Sequence, residues 1–344
     1  MSRALPPILK CIAVAVFVAA ACLACLIRSG PAAWADDAST FTTKAPRAIL
    51  MDAATGAVLF QVKADDLAPP ASMSKLMTLA VLFKAMKEGK IKPADEFVMS
   101  VNAWRKGGAP SGTSAMMVPV NTKARVEELI QGIAVQSGND AAMCIAEGIS
   151  GTEANFAKVM TEEARRIGMK KSTFTNATGL ADPNHLMTAR ELAILGRYII
   201  TEYPDQYPVF AQKEYNYRTH KFYNRNPLLA LGIGADGLKT GHTAEAGFGL
   251  VGSAVQDGKR LIVVIMGMDN ENHGAMKPNA FLSGASNPLR RSRFMTTARS
   301  SARRASGAGS AGTCRWRLKA RSRCHCRKIR PTRGFRLKSS TRRR

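Results

Sequence analysis

The chain has 344 residues, 46% of them apolar and 6% aromatic, and carries a formal charge of +25. That length fits one large domain or two ordinary ones, and the apolar share excludes a chain too polar to build a core. The charge excludes less than it suggests, because residues 290–344 hold 20 of the 50 Lys and Arg side chains and no Asp or Glu, leaving 30 basic against 25 acidic residues, a net of +5, in residues 1–289. The body is therefore an ordinary domain attached to a basic tail, and no specific nucleic-acid partner is expected of it.

The N-terminus has Arg3 and Lys10, an apolar run from Cys11 to Ile27, and then Ala33-Trp34-Ala35. A basic start, an apolar middle and a small-x-small end predict a secretory signal over residues 1–35. The mature protein is then exported, to the periplasm or the outer face of the cytoplasmic membrane. Of the seven cysteines, Cys11, Cys22 and Cys25 lie in that run and Cys314, Cys324 and Cys326 in the tail. Cys144 alone belongs to the body, so no internal disulfide is expected there, and it reads as a small buried apolar residue.

Ala48–Asp52 and Ala57–Gln61 flank Ala53-Ala54-Thr55-Gly56 and read as a β-hairpin. Pro69-Pro70 then stops the chain. From Ser72 to about Met86 apolar residues recur at helical spacing on nearly every face, as in a helix running through a domain centre, and Gly89 ends it. Phe97–Trp104 reads as a strand and Gly107–Gly112 as a loop. Thr122 is placed to cap a helix through Val135 that buries Val126, Leu129, Ile130 and Ile133, with a break at Gln136–Asp140. Helices follow at Ala141–Glu147, Glu153–Ile167 and Thr188–Thr201, with a polar loop from Phe174 to His185. The pattern then turns to strands at Tyr215–Tyr217, Gly237–Thr243, Phe248–Val255 and Leu261–Met266, with Gln256-Asp257-Gly258 as a hairpin turn. Strands, a helical block and strands again predict an α+β fold, an antiparallel sheet packed against a helical cluster.

Three short motifs stand in order: Ser72-Met73-Ser74-Lys75, Ser137-Gly138-Asn139 and Lys239-Thr240-Gly241. A serine three residues before a lysine puts a hydroxyl beside an amine on one helix face, the minimum geometry for a serine nucleophile with a lysine base. Ser100-Val101-Asn102 also fits the second pattern, but Ser137 follows a helix end, where a loop can present it, whereas Ser100 falls inside the predicted strand.

These motifs occur together in class A β-lactamases and penicillin-binding proteins. With Pro70-Ala71 before the first, Asp140-Ala141 after the second, His185-Leu186-Met187-Thr188-Ala189 and Asp236–Thr243, the chain resembles the serine-type D-alanyl-D-alanine carboxypeptidases, the low-molecular-mass penicillin-binding proteins of peptidase family S11. The resemblance covers roughly residues 44–270. It implies a β-lactamase/transpeptidase-like fold and removal of the terminal D-alanine from peptidoglycan stem pentapeptides through an acyl-enzyme, with β-lactam antibiotics as inhibitors. Ser72 would attack the carbonyl of the penultimate D-alanine. Lys75 would act as base if its amine is neutral, which burial and Lys239 as a second cation favour. Ser137 would relay a proton to the leaving D-alanine, and Asn139 would hold Lys75 or the substrate amide. Lys239 and Thr240 would bind the terminal carboxylate, and Gly241 would let the strand approach the substrate. The backbone N–H groups of Ser72 and His242 would form the oxyanion hole. His185 and His242 read as structural rather than proton-transferring.

No metal or cofactor is called for. Cys324-His325-Cys326 is too closely spaced for a zinc site. The alternatives are an endopeptidase cutting D-amino-acid crosslinks and a class A-like β-lactamase, for which Asp182 is the carboxylate on offer. From another class comes an anionic-polymer binder acting through the tail. The penicillin-binding carboxypeptidase domain is expected over residues 36–282. Residues 283–344 read as a basic, disordered tail whose abrupt change in composition suggests a shifted reading frame replacing the family's C-terminal β domain. Such a tail would also allow peripheral association with anionic membrane lipid.

Overall fold

A computed structural model describes residues 43–269. The predicted export signal and the basic tail lie outside the described residues. The chain opens with β1 (Arg47–Asp52) and β2 (Val58–Val62), paired antiparallel as expected. Asp52 closes the turn by accepting from the backbone N–H and the hydroxyl of Thr55, each at 2.9 Å. After the prolines a 3₁₀ turn, Ala71–Ser74, runs directly into α1 (Lys75–Lys87). Every residue from Lys75 to Phe83 is buried, so the helix has no solvent face along its first two turns. Gly89 ends it with φ +71°.

The next segment departs from the sequence expectation. β3 (Glu96–Val98) is short, and α2 (Val101–Gly107) replaces the rest of the predicted strand. Ser100 is the cause: its Oγ accepts from the Ala103 N–H at 2.9 Å and caps a helix, which outweighs the β-leaning apolar run. The Thr122 cap is also corrected. β4 (Lys123–Arg125) pairs with β3, and α3 (Val126–Gln131) starts after Arg125, whose N–H donates to the Glu128 carboxylate at 2.8 Å. Val126, Leu129, Ile130 and Ile133 are buried together as expected. A π turn, Gly132–Gln136, ends this run.

Then come α4 (Asn139–Ser150), α5 (Glu153–Arg166) and α6 (Ala189–Glu202). Thr152 and Thr188 cap the last two through their hydroxyls. A small hairpin, β5 (Glu214–Tyr217) and β6 (His220–Tyr223), precedes three long strands, β7 (Ala235–Thr243), β8 (Gly247–Gln256) and β9 (Lys259–Met268). Strand β6 was not anticipated: its alternation spans only four residues, too few to register.

The main sheet has the order β2-β1-β9-β8-β7, every neighbouring pair antiparallel. Side chains alternate across it. Ile262, Val264 and Met266 of β9 face the helices and share one core with α1, while Leu261, Val263 and Ile265 join a second cluster on the other face. The sheet therefore places β7 at an edge, beside the start of the central helix. Two absent side chains permit that approach. A Cβ on Gly241 would lie 2.8 Å from the Pro70 carbonyl, and one on Gly179, at φ +76°, would lie 1.9 Å from the Ala71 carbonyl. The Phe174–His185 loop and strand β7 thus close on the 3₁₀ turn from two sides.

Gly179→Ala should lower the unfolding free energy by more than about 3 kcal/mol, because it meets both a backbone clash and a left-handed φ. Urea denaturation measures it, and a loss under about 1 kcal/mol would show that the loop is not wedged against the turn.

Candidate active site

The 3₁₀ turn does something an α-helix would do less well. In 3₁₀ geometry the side chains at i and i+3 eclipse. Ser72 and Lys75 are so related, and Lys75 Nζ lies 2.8 Å from Ser72 Oγ. The amine donates to the Thr178 carbonyl at 2.6 Å. Lys75 is 0% exposed, and among the described residues no carboxylate bonds to it. Burial holds its pKa well below the ordinary lysine value, and the charges of Lys239 and then Arg225 push it further down. Asp140 and Glu153 pull the other way. The Asp140 carboxylate, however, is occupied by the N–H groups of Met116, Val118 and Ala141.

Ser137 and Asn139 sit at the break between the π turn and α4. Ser137 adopts φ +65° and ψ +31°, a left-handed conformation uncommon for serine. Its Oγ is buried and has no hydrogen-bond partner among the described residues. Asn139 donates from Nδ2 to Thr113 Oγ1 at 2.9 Å, while its Oδ1 is buried and unpartnered. Of the two roles expected of Asn139, holding Lys75 or the substrate amide, the first is not made by a hydrogen bond among the described residues. The Lys75 amine bonds the Thr178 carbonyl instead, and the Asn139 amide bonds Thr113.

Strand β7 supplies the third wall. Lys239 is buried and donates to the Thr240 carbonyl at 3.0 Å. Burial, and next the Arg225 charge, lower its pKa to about 7. His242 is exposed and stacks on Phe248 at 3.9 Å. Gly241 is needed first for close contact with the Pro70–Met73 backbone rather than with a ligand. Ser72, Ser137, Thr240, Gly241 and His242 together line a cleft of about 320 Å³. Lys75 and Lys239 lie buried next to it.

The constellation is thus a serine beside a buried amine, an unpartnered second serine and a strand edge carrying another buried amine. A family model described as D-alanyl-D-alanine carboxypeptidase, peptidase S11, matches residues 34–270. The chain belongs to the S11 D-alanyl-D-alanine carboxypeptidase family. It is 40% identical over 222 residues to D-alanyl-D-alanine carboxypeptidase DacA of Haemophilus influenzae, covering 64% of this chain and 56% of that one. Among solved structures, penicillin binding protein 5 from Haemophilus influenzae superposes with a TM-score of 0.64 at 38% identity, over 67% of each chain. Penicillin-binding protein D2 from Listeria monocytogenes, in its ampicillin-bound form, gives 0.57 at 27% identity, over 64% of this chain and 89% of that one. The chain spans about half the length of the curated relatives it matches.

Within this S11 domain several site residues escaped sequence reading. Arg225 lines the cleft and donates to Ser114 Oγ at 2.8 Å. Its charge reaches both lysines. It belongs to no motif and follows a short hairpin, so no local signal marks it. Thr178 acts through its carbonyl, which any residue would supply. Thr113 and Ser114 lie in a polar loop like many others. By contrast Ser100-Val101-Asn102 is outside the cleft lining, with Asn102 bonded to Glu147 at 2.7 Å, and Asp182 accepts from the Asn184 N–H within its own turn. Cys144 is buried with its thiol pushed up to about 12, as its inert reading requires.

The unfolded chain holds an ordinary lysine proton at position 239 up to about pH 10.4, while the folded protein loses it near pH 7. Between those values the unfolded state binds more protons, so this group makes stability rise with pH. Lys239→Met should flatten that rise when urea unfolding is compared at pH 7 and pH 9. Parallel wild-type and variant curves would show an ordinary lysine at position 239.

Proposed function

We propose that this chain is a serine-type D-alanyl-D-alanine carboxypeptidase that releases the terminal D-alanine of peptidoglycan stem pentapeptides. The observation that carries the proposal is the 2.8 Å approach of a fully buried Lys75 amine to Ser72 Oγ. A neutral amine that spends one N–H on the Thr178 carbonyl keeps its lone pair for the serine proton. Ser72 Oγ then attacks the penultimate D-alanine carbonyl. The developing oxyanion is received by the backbone N–H groups of Ser72 and His242, brought together by the close contact of β7 with the turn. Ser137, its hydroxyl otherwise unpartnered, relays the proton to the departing D-alanine. Lys239 and Thr240 hold the terminal carboxylate, whose charge draws Lys239 back toward the ammonium form. Asn139 offers its free carbonyl oxygen to the substrate amide. Water completes turnover by releasing the acyl group.

Penicillin enters as a substrate mimic that acylates the same serine, a reading supported by the ampicillin-bound Listeria relative. Residues 1–35 direct export, and the catalytic unit runs over residues 36–282, with the basic stretch 283–344 outside it. No described helix is long and apolar enough to cross a membrane. The β-lactamase reading needs a carboxylate to activate the deacylating water. Asp182 is engaged with Asn184 N–H at 2.8 Å and does not line the cleft, which disfavours it.

Incubation with a D-Ala-D-Ala pentapeptide should release one D-alanine per peptide, detected by mass spectrometry. Ser72→Ala should reduce the rate by at least about 10³-fold. Release of the D-Ala-D-Ala dipeptide, or an active Ser72→Ala variant, would refute the assignment.

A further inference from the structure

The Phe174–His185 loop is fastened to the start of α1 at successive points. Gly179 fits against the Ala71 carbonyl, the Thr178 carbonyl meets Lys75 Nζ at 2.6 Å, and the Ala177 carbonyl accepts from Thr78 Oγ1 at 2.7 Å. The remaining fastening is a side-chain pair. His185 Nε2 lies 2.7 Å from Ser74 Oγ, and both residues are buried. The roles in this pair follow from the other ring nitrogen. The Thr175 N–H donates to His185 Nδ1 at 3.3 Å, so Nδ1 carries the lone pair and Nε2–H donates to the serine. The ring is further fixed by an edge-to-face contact with Phe174 at 5.4 Å. Burial lowers the histidine pKa to about 4, with Lys75 adding to that effect and Asp182 opposing it, so the ring is neutral under ordinary conditions.

Ser74 is not an arbitrary anchor. It is the last residue of the 3₁₀ turn and the residue before Lys75. The eclipsed Ser72–Lys75 geometry lasts only while that turn keeps its tighter winding. Ala71, with φ +48°, shows that the turn is held against local preference by what surrounds it.

We propose that His185 is a positioning residue for acylation: its Nε2–H, donated to Ser74 Oγ, locks the end of the 3₁₀ turn to the Phe174–His185 loop, so that the Ser72 hydroxyl and the Thr178 carbonyl converge on the Lys75 amine. The inference rests on the serine acylation proposed above. His185 touches no reacting atom. It acts through Ser74 on one side and the loop backbone on the other.

The test is the second-order rate of acylation by a fluorescent penicillin, followed across pH on the full chain. His185→Leu keeps an apolar side chain in the site but cannot donate. It should slow acylation between about 10- and 100-fold, the range expected for small misplacement of reacting groups. It should also move the acid limb of the profile to higher pH, because a looser loop admits water to Lys75. His185→Gln, whose amide can donate from the Nε2 position, should recover most of the rate. Ser74→Ala should resemble His185→Leu, and the double variant should be no slower than either single one, since both remove the same hydrogen bond. Ser74→Ala also serves where His185→Leu fails to fold. Wild-type acylation with an unmoved acid limb in His185→Leu or Ser74→Ala, or losses that multiply in the double variant, would overturn the role of His185 alone. A wild type that takes no label would overturn the acylation reading and this inference with it.

Discussion

A lysine amine sealed inside the domain, with no carboxylate bonded to it among the described residues, is the constraint on which the site depends. An isolated buried ammonium would cost several kcal/mol, and burial accordingly holds the Lys75 pKa well below the ordinary lysine value. Lys239 and Arg225 make the charged form worse, and of the opposing carboxylates Asp140 and Glu153, Asp140, which has the larger effect, is committed to three backbone N–H groups. What is left is an amine with a depressed pKa whose hydrogen-bond partners are the Thr178 carbonyl and Ser72 Oγ. The same burial that would penalise a structural lysine suits this one to the role of base proposed for it.

Three parts of the fold meet to create that condition. The central helix brings Lys75 into the interior at its first residue, and the 3₁₀ turn before it presents Ser72 at the cleft. The left-handed Ser137 lets α3 and its π turn hand over to α4 while placing Ser137 in the cleft lining. The sheet ends at β7, whose open edge faces that cleft. Ala71 and Ser137 both hold positive φ, at about 1–3 kcal/mol each, and both border the reacting groups. The strain is borne by the packing around them, including the close seating of Gly179 and Gly241.

Much of this was legible in the sequence, for identifiable reasons. The apolar residues recurring on nearly every face after Ser72 announce a central helix, and strands β8 and β9 are apolar runs separated by the Asp257-Gly258 turn, long enough to declare themselves. The motif residues Ser72, Lys75, Ser137 and Lys239 carry chemistry in their side chains, so their spacing can be read. Local competition hid other features. Ser100 capped a helix where residue preference favoured a strand, and Arg125 took over the start that Thr122 was expected to supply. Contributions made by backbone also left no trace. The Thr178 carbonyl is a partner of Lys75 that no side-chain pattern marks, and Gly241 is seated against the Pro70–Met73 backbone. Arg225 was invisible because its importance is electrostatic and arises only when β6 delivers it to the cleft.

The central claim concerns one proton. In the full chain labelled with ¹³C at the lysine ε-carbons, and with Lys75→Arg used to assign the signal, the Lys75 resonance at pH 8 should have the shift of a neutral amine. It should stay there while surface lysines remain ammonium. A Lys75 signal that titrates with the surface lysines near pH 10 would contradict the account, because Ser72 would then have no base.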